Sequence, residues 1–320
     1  MPDPLAGNPH IAANSPLVSG RRRDNLPAMR LGFAGLGLMG TPMAANLCRS
    51  GVRLTVYNRS PEKAAPLVAL GAERAPTPAH LFAASDAVIL MLADDAAVDA
   101  VLDRGGPDFA GHVRGRLIIN MGTHAPDWSR QLARDVTDAG GVFVEAPVSG
   151  SRGPAETGDL VAMLAGPAEA VAKAKPVLVP MCRDLLAVGE VPSAMALKMA
   201  VNLYLVGSVA VLSEAAHFAA RSGVELAHLA AVIGEGPLGS GVARAKLAKM
   251  IGRDFTPQAA IRDVVKNVRL IGESAAAAGA DAPLLAVSRG RFELASAMGS
   301  DELDMAAVLT TYERRGVPLR

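Results

Sequence analysis

Residues 31–47 read Leu-Gly-Phe-Ala-Gly-Leu-Gly-Leu-Met-Gly-Thr-Pro-Met-Ala-Ala-Asn-Leu, and this segment is the most informative about the architecture of the protein. An apolar run meets three glycines and continues at helical spacing, which predicts a strand, a tight turn and a helix. The first glycine permits the turn, the second lets the backbone approach a pyrophosphate, and the third lets the helix pack on the strand. The free N–H groups of the helix N-terminus favour a bound phosphate. The predicted cofactor contacts in this turn are Gly35, Gly37, Leu38, Met39 and Gly40.

The end of the second strand predicts which dinucleotide is bound. The strand at residues 53–57 ends 22 residues after Gly35, where this type of turn expects a residue that contacts the ribose. That position is Asn58, and no carboxylate is present to accept a bond from a ribose 2′-hydroxyl. Arg59 and Lys63 instead offer the donors and charge that a 2′-phosphate requires. We therefore predict NADP(H) rather than NAD(H), the alternative being that both cations lie on a solvated helix start capped by Ser60 and Pro61.

Strands alternate with helices in the first half of the chain. The apolar segments 85–92 and 115–121 read as buried parallel strands, each preceded by a helical segment. This alternation predicts an α/β fold whose N-terminal domain, residues 29–191, is a Rossmann-type doubly wound sheet. Ligands lie beyond the carboxyl ends of such strands, so Met91, Leu92 and Thr123 are predicted cofactor contacts. Asp94 and Asp95 follow a strand too, but capping preferences favour a helix cap over acid catalysis.

The remaining segments predict an N-terminal arm and a helical C-terminal domain. Residues 1–28 contain five prolines and no apolar run of signal-peptide length, which predicts a disordered arm. From about residue 215, Ala, Leu, Val and Met recur at helical spacing between glycine and proline breakers. We therefore predict an all-α domain over residues 192–320, joined to the sheet domain by a long helix at residues 192–222.

Composition excludes several classes of function. Lys+Arg 32 and Asp+Glu 31 give a net charge of +1, which argues against a nucleic-acid or anionic-membrane partner. The two cysteines fit a reducing cytoplasm, and the six histidines show no metal-ligand spacing, so no metal is expected. The longest uncharged stretch, residues 199–213, is shorter than the roughly 18 residues of a membrane span and predicts a buried helix of a soluble protein.

A second motif identifies a family. The segment Ala146-Pro147-Val148-Ser149-Gly150, taken with the glycine turn, resembles the β-hydroxyacid dehydrogenases. This group includes 3-hydroxyisobutyrate dehydrogenase, tartronate semialdehyde reductase and the glyoxylate/succinic semialdehyde reductases. The resemblance extends over nearly everything from Arg30 onward, in four blocks that follow the family's order. It implies that Ser149 and Gly150 hold a substrate carboxylate, a role suited to a hydroxyl beside exposed backbone N–H groups.

The third block places one cation in an apolar helix. Lys198 and Asn202 are four residues apart and so share a helix face. Burial in so apolar a stretch should lower the pKa of Lys198 toward a range useful for proton transfer. The alternative is a lysine at the helix start that extends into solvent. The resemblance implies that Lys198 is the catalytic acid/base and that Asn202 orients the substrate or the lysine.

The fourth block, residues 254–270, is similar to a family segment that ends in Lys-Asp-Leu. The resemblance implies that Lys266 reaches both the cofactor and the substrate from the helical domain. Asn267 stands where Asp is usual, and Ala259 stands where many semialdehyde reductases carry an aromatic side chain. Both departures predict a roomier pocket, so a substrate as short as glyoxylate is not expected.

Three functions compete at this point. The first is hydride transfer between NADP(H) and a small β-hydroxyacid or acid-bearing semialdehyde, in a protein that the resemblance implies is a homodimer or homotetramer. The second is an NADPH-dependent imine reductase, which Asn267 favours and Lys198 opposes. The third is a non-catalytic NADP-binding sensor or scaffold. The joint presence of four residues opposes it: Ser149, Lys198, Asn202 and Lys266.

Overall fold

The computed structural model of the protein describes residues 29–313. The arm predicted for residues 1–28 lies outside the described residues, as do residues 314–320. Strands occupy the first part of the described chain and give way to helices after Gly189. The predicted fold class, a Rossmann-type sheet domain followed by helices, is confirmed.

The strands form one sheet. They are β1 (Leu31–Ala34), β2 (Leu54–Tyr57), β3 (Glu73–Arg74), β4 (Ala87–Leu90), β5 (Leu117–Asn120), β6 (Val142–Glu145), β7 (Val148–Ser149), β8 (Leu160–Ala165) and β9 (Cys182–Gly189). The first six are parallel in the order β3-β2-β1-β4-β5-β6, the arrangement of a doubly wound sheet. Beyond β6, β8 pairs antiparallel with β6 and β7 and parallel with β9.

The α-helices cover the sheet and then form a separate layer. They are α1 (Gly40–Arg49), α2 (Ala65–Val68), α3 (Pro78–Ala83), α4 (Asp95–Leu102), α5 (Phe109–Val113), α6 (Pro126–Asp138), α7 (Arg152–Thr157), α8 (Ala168–Leu178), α9 (Ser193–Arg221), α10 (Leu226–Glu235), α11 (Gly241–Gly252), α12 (Ile261–Ala277), α13 (Pro283–Ala297) and α14 (Thr310–Glu313). Short 3-10 turns occupy Pro61–Ala64 and Met305–Leu309.

Two apolar layers sandwich the sheet. One contains Phe33, Ile89 and Leu164, and the other contains Phe82 and Ile118. A further core, with Phe292 and Met250 fully buried, lies among helices α9 to α13. Burial of the central strands on both faces explains why β1, β4 and β5 read as continuous apolar runs.

Two glycines of the turn are required by the packing of the backbone. Gly35 has φ +102°, and a Cβ there would lie 2.1 Å from the Met91 carbonyl oxygen. A Cβ on Gly40 would lie 1.9 Å from the Gly35 carbonyl oxygen. Any side chain at either position would therefore separate α1 from β1 and β4.

Helix α9 joins the two regions. It runs from Ser193 to Arg221, within a residue of the predicted limits. Of the helices within residues 29–313, it alone is long and apolar enough to cross a membrane, with a mean hydropathy of 1.7 over its most apolar window and 44% of that window buried inside the protein. A core helix of a globular protein has the same properties.

A buried ion pair anchors the segment before α12. The Asp304 side chain is fully buried and accepts bonds from Lys246 Nζ at 2.8 Å and from the Gln258 and Ala306 N–H groups. Burial raises the pKa of Asp304, but Lys246 and these N–H groups outweigh it and hold the pKa below its usual value. The stabilisation is therefore present near neutral pH and is lost as the pH falls through the range in which Asp304 is protonated.

Removal of Asp304 tests this anchor. Asp304→Ala leaves the Lys246 ammonium buried without its partner, so the free energy of unfolding should fall by about 3–5 kcal/mol at neutral pH. Urea unfolding followed by circular dichroism measures the change. In the control, Glu302→Ala removes the exposed partner of Arg262 and should cost less than about 1 kcal/mol. Equal losses in the two variants would show that Asp304 is not an anchor.

Candidate active site

The first part of the site is the glycine turn itself. The Asn58 side chain holds it, because Asn58 Oδ1 accepts from the Leu36 N–H at 2.9 Å and Asn58 Nδ2 donates to the Ser60 carbonyl at 3.0 Å. A Cβ on Gly37 would meet no atom within 4 Å in the described chain, so this glycine borders open space. The first turn of α1 carries no acidic side chain. The turn therefore fits the phosphates of a dinucleotide.

Two cations lie just beyond the turn. Arg59 and Lys63 are exposed, and within residues 29–313 neither side chain has a hydrogen-bond or ion-pair partner. The predicted cap is wrong in detail. Ser60 occupies the N-cap position, but in the described chain its side chain accepts no capping bond, and the segment begins as the 3-10 turn at Pro61–Ala64.

Two loops after β4 and β5 meet a lysine from α12. Lys266 Nζ donates to the Ala93 carbonyl at 2.5 Å and to the Thr123 carbonyl at 3.0 Å. Burial lowers the pKa of Lys266, while Asp263, Asp95 and Asp94 oppose that shift. The structure thus brings Lys266 to the strand ends that also carry the predicted contacts Met91, Leu92 and Thr123.

The acidic pair after β4 has a structural role. Asp94 caps α4 by accepting from the Ala97 N–H at 2.8 Å, which confirms the predicted cap. Asp95 lies 2.6 Å from Nδ1 of His124, whose ring is fully buried and stacked on Trp128. Burial lowers the pKa of His124, although Asp95 opposes the shift. A neutral imidazole that donates to Asp95 therefore joins the two loops.

The buried amine of Lys198 lies at the centre of the site. Lys198 is 8% exposed, and its Nζ donates to the Val148 carbonyl at 2.7 Å. Burial lowers the pKa of Lys198 to about 8, as the sequence predicted, and excludes a side chain that extends into solvent. Asn202 is 2% exposed and follows one turn later on the same helix. Its Nδ2 atom has no hydrogen-bond partner in the part of the chain that the structure describes.

The predicted carboxylate loop adjoins this amine. Ser149 ends β7, directly after the residue whose carbonyl holds Lys198. Gly150 has φ +132°, and a Cβ there would lie 2.7 Å from a Leu160 methyl. The next residue of note, Arg152, pairs with Glu156 at 2.7 Å on the exposed face of α7. The structure therefore brings Ser149, Gly150 and Lys198 together and leaves Arg152 in solvent.

The helical domain contacts the loop after β7. The Arg152 N–H donates to the Gln258 carbonyl at 3.4 Å, which joins the loop after β7 to the segment before α12. Ala259 follows Gln258 and packs against the helical core. Asn267, beside Lys266 on α12, has a buried Oδ1 atom with no partner among residues 29–313. Asn202 Nδ2 and Asn267 Oδ1 are thus both free, among the described residues, to form a further hydrogen bond.

Comparison with known proteins identifies the family. Residues 30–189 match the family model described as the NAD binding domain of 6-phosphogluconate dehydrogenase. Residues 193–312 match the family model described as NAD-binding of NADP-dependent 3-hydroxyisobutyrate dehydrogenase. Glyoxylate/succinic semialdehyde reductase 2, chloroplastic, of Arabidopsis thaliana is 31% identical over 90% of this chain and 80% of its own length. The chain belongs to the β-hydroxyacid dehydrogenase family.

Solved structures agree with this assignment. This β-hydroxyacid dehydrogenase family member is similar to 3-hydroxyisobutyrate dehydrogenase from Salmonella typhimurium, with a TM-score of 0.81 and 26% identity over 88% of this chain and 99% of that one. Psf3 in complex with NADP+ and 2-OPP gives a TM-score of 0.80 and 25% identity over the same shares. As a family member the chain is an oxidoreductase that uses a nicotinamide dinucleotide.

One residue next to the site, Glu145, was not predicted from the sequence. Glu145 ends β6, is fully buried, and accepts through Oε2 from the Met195 N–H at 3.3 Å. Burial raises the pKa of Glu145 to about 7, against the opposing effects of the Ser129 hydroxyl and the Met195 and Ala194 N–H groups. The sequence did contain a sign of this residue. Glu145 is an acid at the end of an otherwise apolar strand, and the loop that follows the strand contacts Lys198.

Metal chemistry has no candidate among the residues that the structure describes. Within residues 29–313, no group of three or more His, Cys, Asp or Glu side chains is arranged to hold a metal ion.

Proposed function

We propose that the protein transfers hydride between NADP(H) and a small β-hydroxyacid or acid-bearing semialdehyde, with Lys198 as the proton donor and acceptor. The observation that carries this proposal is the buried Lys198 amine, held by the carbonyl that directly precedes Ser149. A proton donor with a lowered pKa thus adjoins a loop suited to a carboxylate. The matched family models support the same chemistry.

Each residue of the site has a part in this reaction. A bound reduced nicotinamide supplies hydride to the substrate carbonyl carbon. Ser149 and the backbone at Gly150 hold the substrate carboxylate and so orient the carbonyl. Lys198 protonates the carbonyl oxygen as negative charge develops there. Asn202 Nδ2, which has no hydrogen-bond partner among the described residues, donates to the same oxygen. In oxidation, neutral Lys198 accepts the proton of the alcohol.

The dinucleotide is held by the turn and by the ends of β2, β4 and β5. Gly37, Leu38 and Met39 would adjoin its phosphates, and Gly35 and Gly40 would shape the turn that receives them. Met91, Leu92, Thr123 and Lys266 would hold its nicotinamide end. Asn58 acts by holding the turn, since its amide oxygen is already bonded to the Leu36 N–H. Arg59 and Lys63 bind the 2′-phosphate of NADP(H), because both are exposed cations beside the strand end and no acid occupies the ribose position.

Replacement of Arg59 tests the cofactor preference. Arg59→Ala should raise the Kd for NADPH by about tenfold or more and leave the Kd for NADH unchanged, because only NADPH carries the charge that the guanidinium pairs with. Fluorescence titration measures both constants. The control, Arg183→Ala, removes an exposed arginine of β9 and should change neither. Tighter binding of NADH than NADPH by the unaltered protein would contradict the preference.

Replacement of Lys198 tests the chemistry. Lys198→Ala should lower kcat by about 10²-fold or more and still bind NADPH, because the proton donor is lost and the dinucleotide site is intact. NADPH oxidation followed by absorbance, with a panel of semialdehydes, 2-keto acids and cyclic imines, measures the loss. With the pKa of Lys198 near 8, reduction should slow as the pH rises through about 8 and oxidation should slow as it falls through that value.

The same panel separates the alternatives. Turnover of imines alone would make the protein an imine reductase. Tight NADPH binding with no turnover would make it a sensor or scaffold. Full turnover of an acid-bearing aldehyde by Lys198→Ala would show that another group moves the proton.

The protein is further proposed to be a cytoplasmic homodimer or homotetramer with no nucleic-acid or membrane partner. Both cysteines are free. An apolar stripe on α9, made of Tyr204, Val211 and Phe218, is 66–77% exposed and repeats every seven residues. Helix α10 is mostly apolar, yet none of its residues is buried within the described chain. A second copy would cover both surfaces.

Charge on the stripe tests this assembly. The double variant Val211→Glu, Phe218→Glu should be a monomer by light scattering, because two carboxylates would be buried at the contact. Leu186→Glu places the same charge at an exposed position on β9 and should keep the native mass. A monomeric unaltered protein would contradict the proposal.

A further inference from the structure

Two hydrogen bonds join the end of the sheet to the start of α9. The Glu145 carboxylate accepts from the Met195 N–H, and the Val148 carbonyl accepts from Lys198 Nζ. The partners of both bonds are 50 residues apart in the chain, so the segment from Glu145 to Val148 runs alongside the first turns of α9 in a fixed register. Three residues of a helix are nearly one turn, so Met195 and Lys198 lie on the same face.

The N-terminus of α9 has no local cap. Pro192 is at the N-cap position and offers no side-chain acceptor, and the first turn contains no acid. The free N–H groups of this turn carry partial positive charge, and a carboxylate placed there is stabilising. Within residues 29–313, the side chain that accepts one of these N–H groups comes from β6, not from the helix itself.

We propose that Glu145 is a positioning residue, whose ionised carboxylate fixes the first turn of α9 and thereby holds the Lys198 amine against the loop that binds the substrate. This inference rests on the proposed role of Lys198. Within residues 29–313, no hydrogen bond joins the Glu145 side chain to Ser149, to Gly150 or to the turn at residues 35–40. Glu145 acts on the reaction by holding the backbone of Met195, which in turn positions the Lys198 side chain one turn later on the helix.

The charge of Glu145 changes near neutral pH. Burial raises the pKa of Glu145 to about 7. Four neighbours face it: the Ser129 hydroxyl and Arg130 from α6, Asn120 as its pairing partner on β5, and the N–H groups of α9. The Ser129 Oγ and Glu145 Oε1 atoms form no well-aligned bond with any described residue, so the carboxylate is held chiefly by the helix. The ionised form accepts the stronger, charge-assisted bond and is the form that holds α9.

Glu145→Gln is the decisive variant, because glutamine keeps the length of the side chain and an acceptor oxygen but never ionises. For reduction, kcat of the unaltered protein should rise as the pH increases through about 7 and fall above about 8, where Lys198 loses its proton. In Glu145→Gln the rising limb of this pH profile near pH 7 should vanish, and the falling limb near pH 8 should stay. Its plateau should lie about fivefold below that of the unaltered protein, with an unchanged KM for NADPH.

Ser129→Ala is the matched control. Ser129 lies beside Glu145, but its Oγ forms no hydrogen bond with a described residue, so its removal should leave a limb near neutral pH in the profile. Persistence of that limb in Glu145→Gln, or its loss in Ser129→Ala, would overturn the proposal. A raised KM for NADPH with an unchanged kcat would also overturn it, because the effect would then lie in cofactor binding.

Hydrogen–deuterium exchange gives a readout that needs no substrate. The peptide covering residues 193–199 should exchange several-fold faster in Glu145→Gln, and α12 should exchange at the native rate. Unchanged exchange at residues 193–199 would overturn the role of Glu145 even if the enzyme is active. If the panel of substrates shows no turnover while this exchange result is obtained, the proposed function fails and the anchoring of α9 stands.

Discussion

The hydrogen bond from Lys198 Nζ to the Val148 carbonyl sets the geometry on which the rest of the structure depends. Removing a lysine amine from water costs free energy unless its protons are satisfied or lost. Here one backbone carbonyl from the sheet domain accepts the bond, and the pKa of Lys198 falls to about 8. The bond therefore attaches the helical domain to the loop at Ser149 and prepares the amine to exchange a proton.

Local patterns were sufficient to predict the Rossmann domain. The contacts that make Gly35 and Gly40 obligatory lie between elements close in sequence or in adjacent strands, and burial on both faces makes the central strands plainly apolar. Strands β3, β7, β8 and β9 were not predicted. The first two have two residues each, and β8 has an apolar run that suits a helix as well as a strand.

Contacts between distant residues account for what the sequence did not show. Asn58 holds a turn 22 residues away, Glu145 accepts a bond from a residue 50 positions later, and Lys246 pairs with Asp304 across 58 residues. Side-chain type and spacing can mark a position such as Asn58 or Glu145, but they do not show which distant group it bonds to. Lys266 is the extreme case, since it donates to a carbonyl 173 residues away and was assigned through the resemblance alone.

Helix α9 carries the Lys198 amine near one end and the apolar stripe along its outer side. An unbroken α-helix of 29 residues is a rod roughly 40 Å long. Because the helix is continuous, the positions of Phe218 and of the Lys198 backbone are fixed relative to each other. If a second copy covers the stripe as proposed, the same helix carries both the subunit contact and the amine proposed to move the proton, and the contact would influence how that amine is aligned.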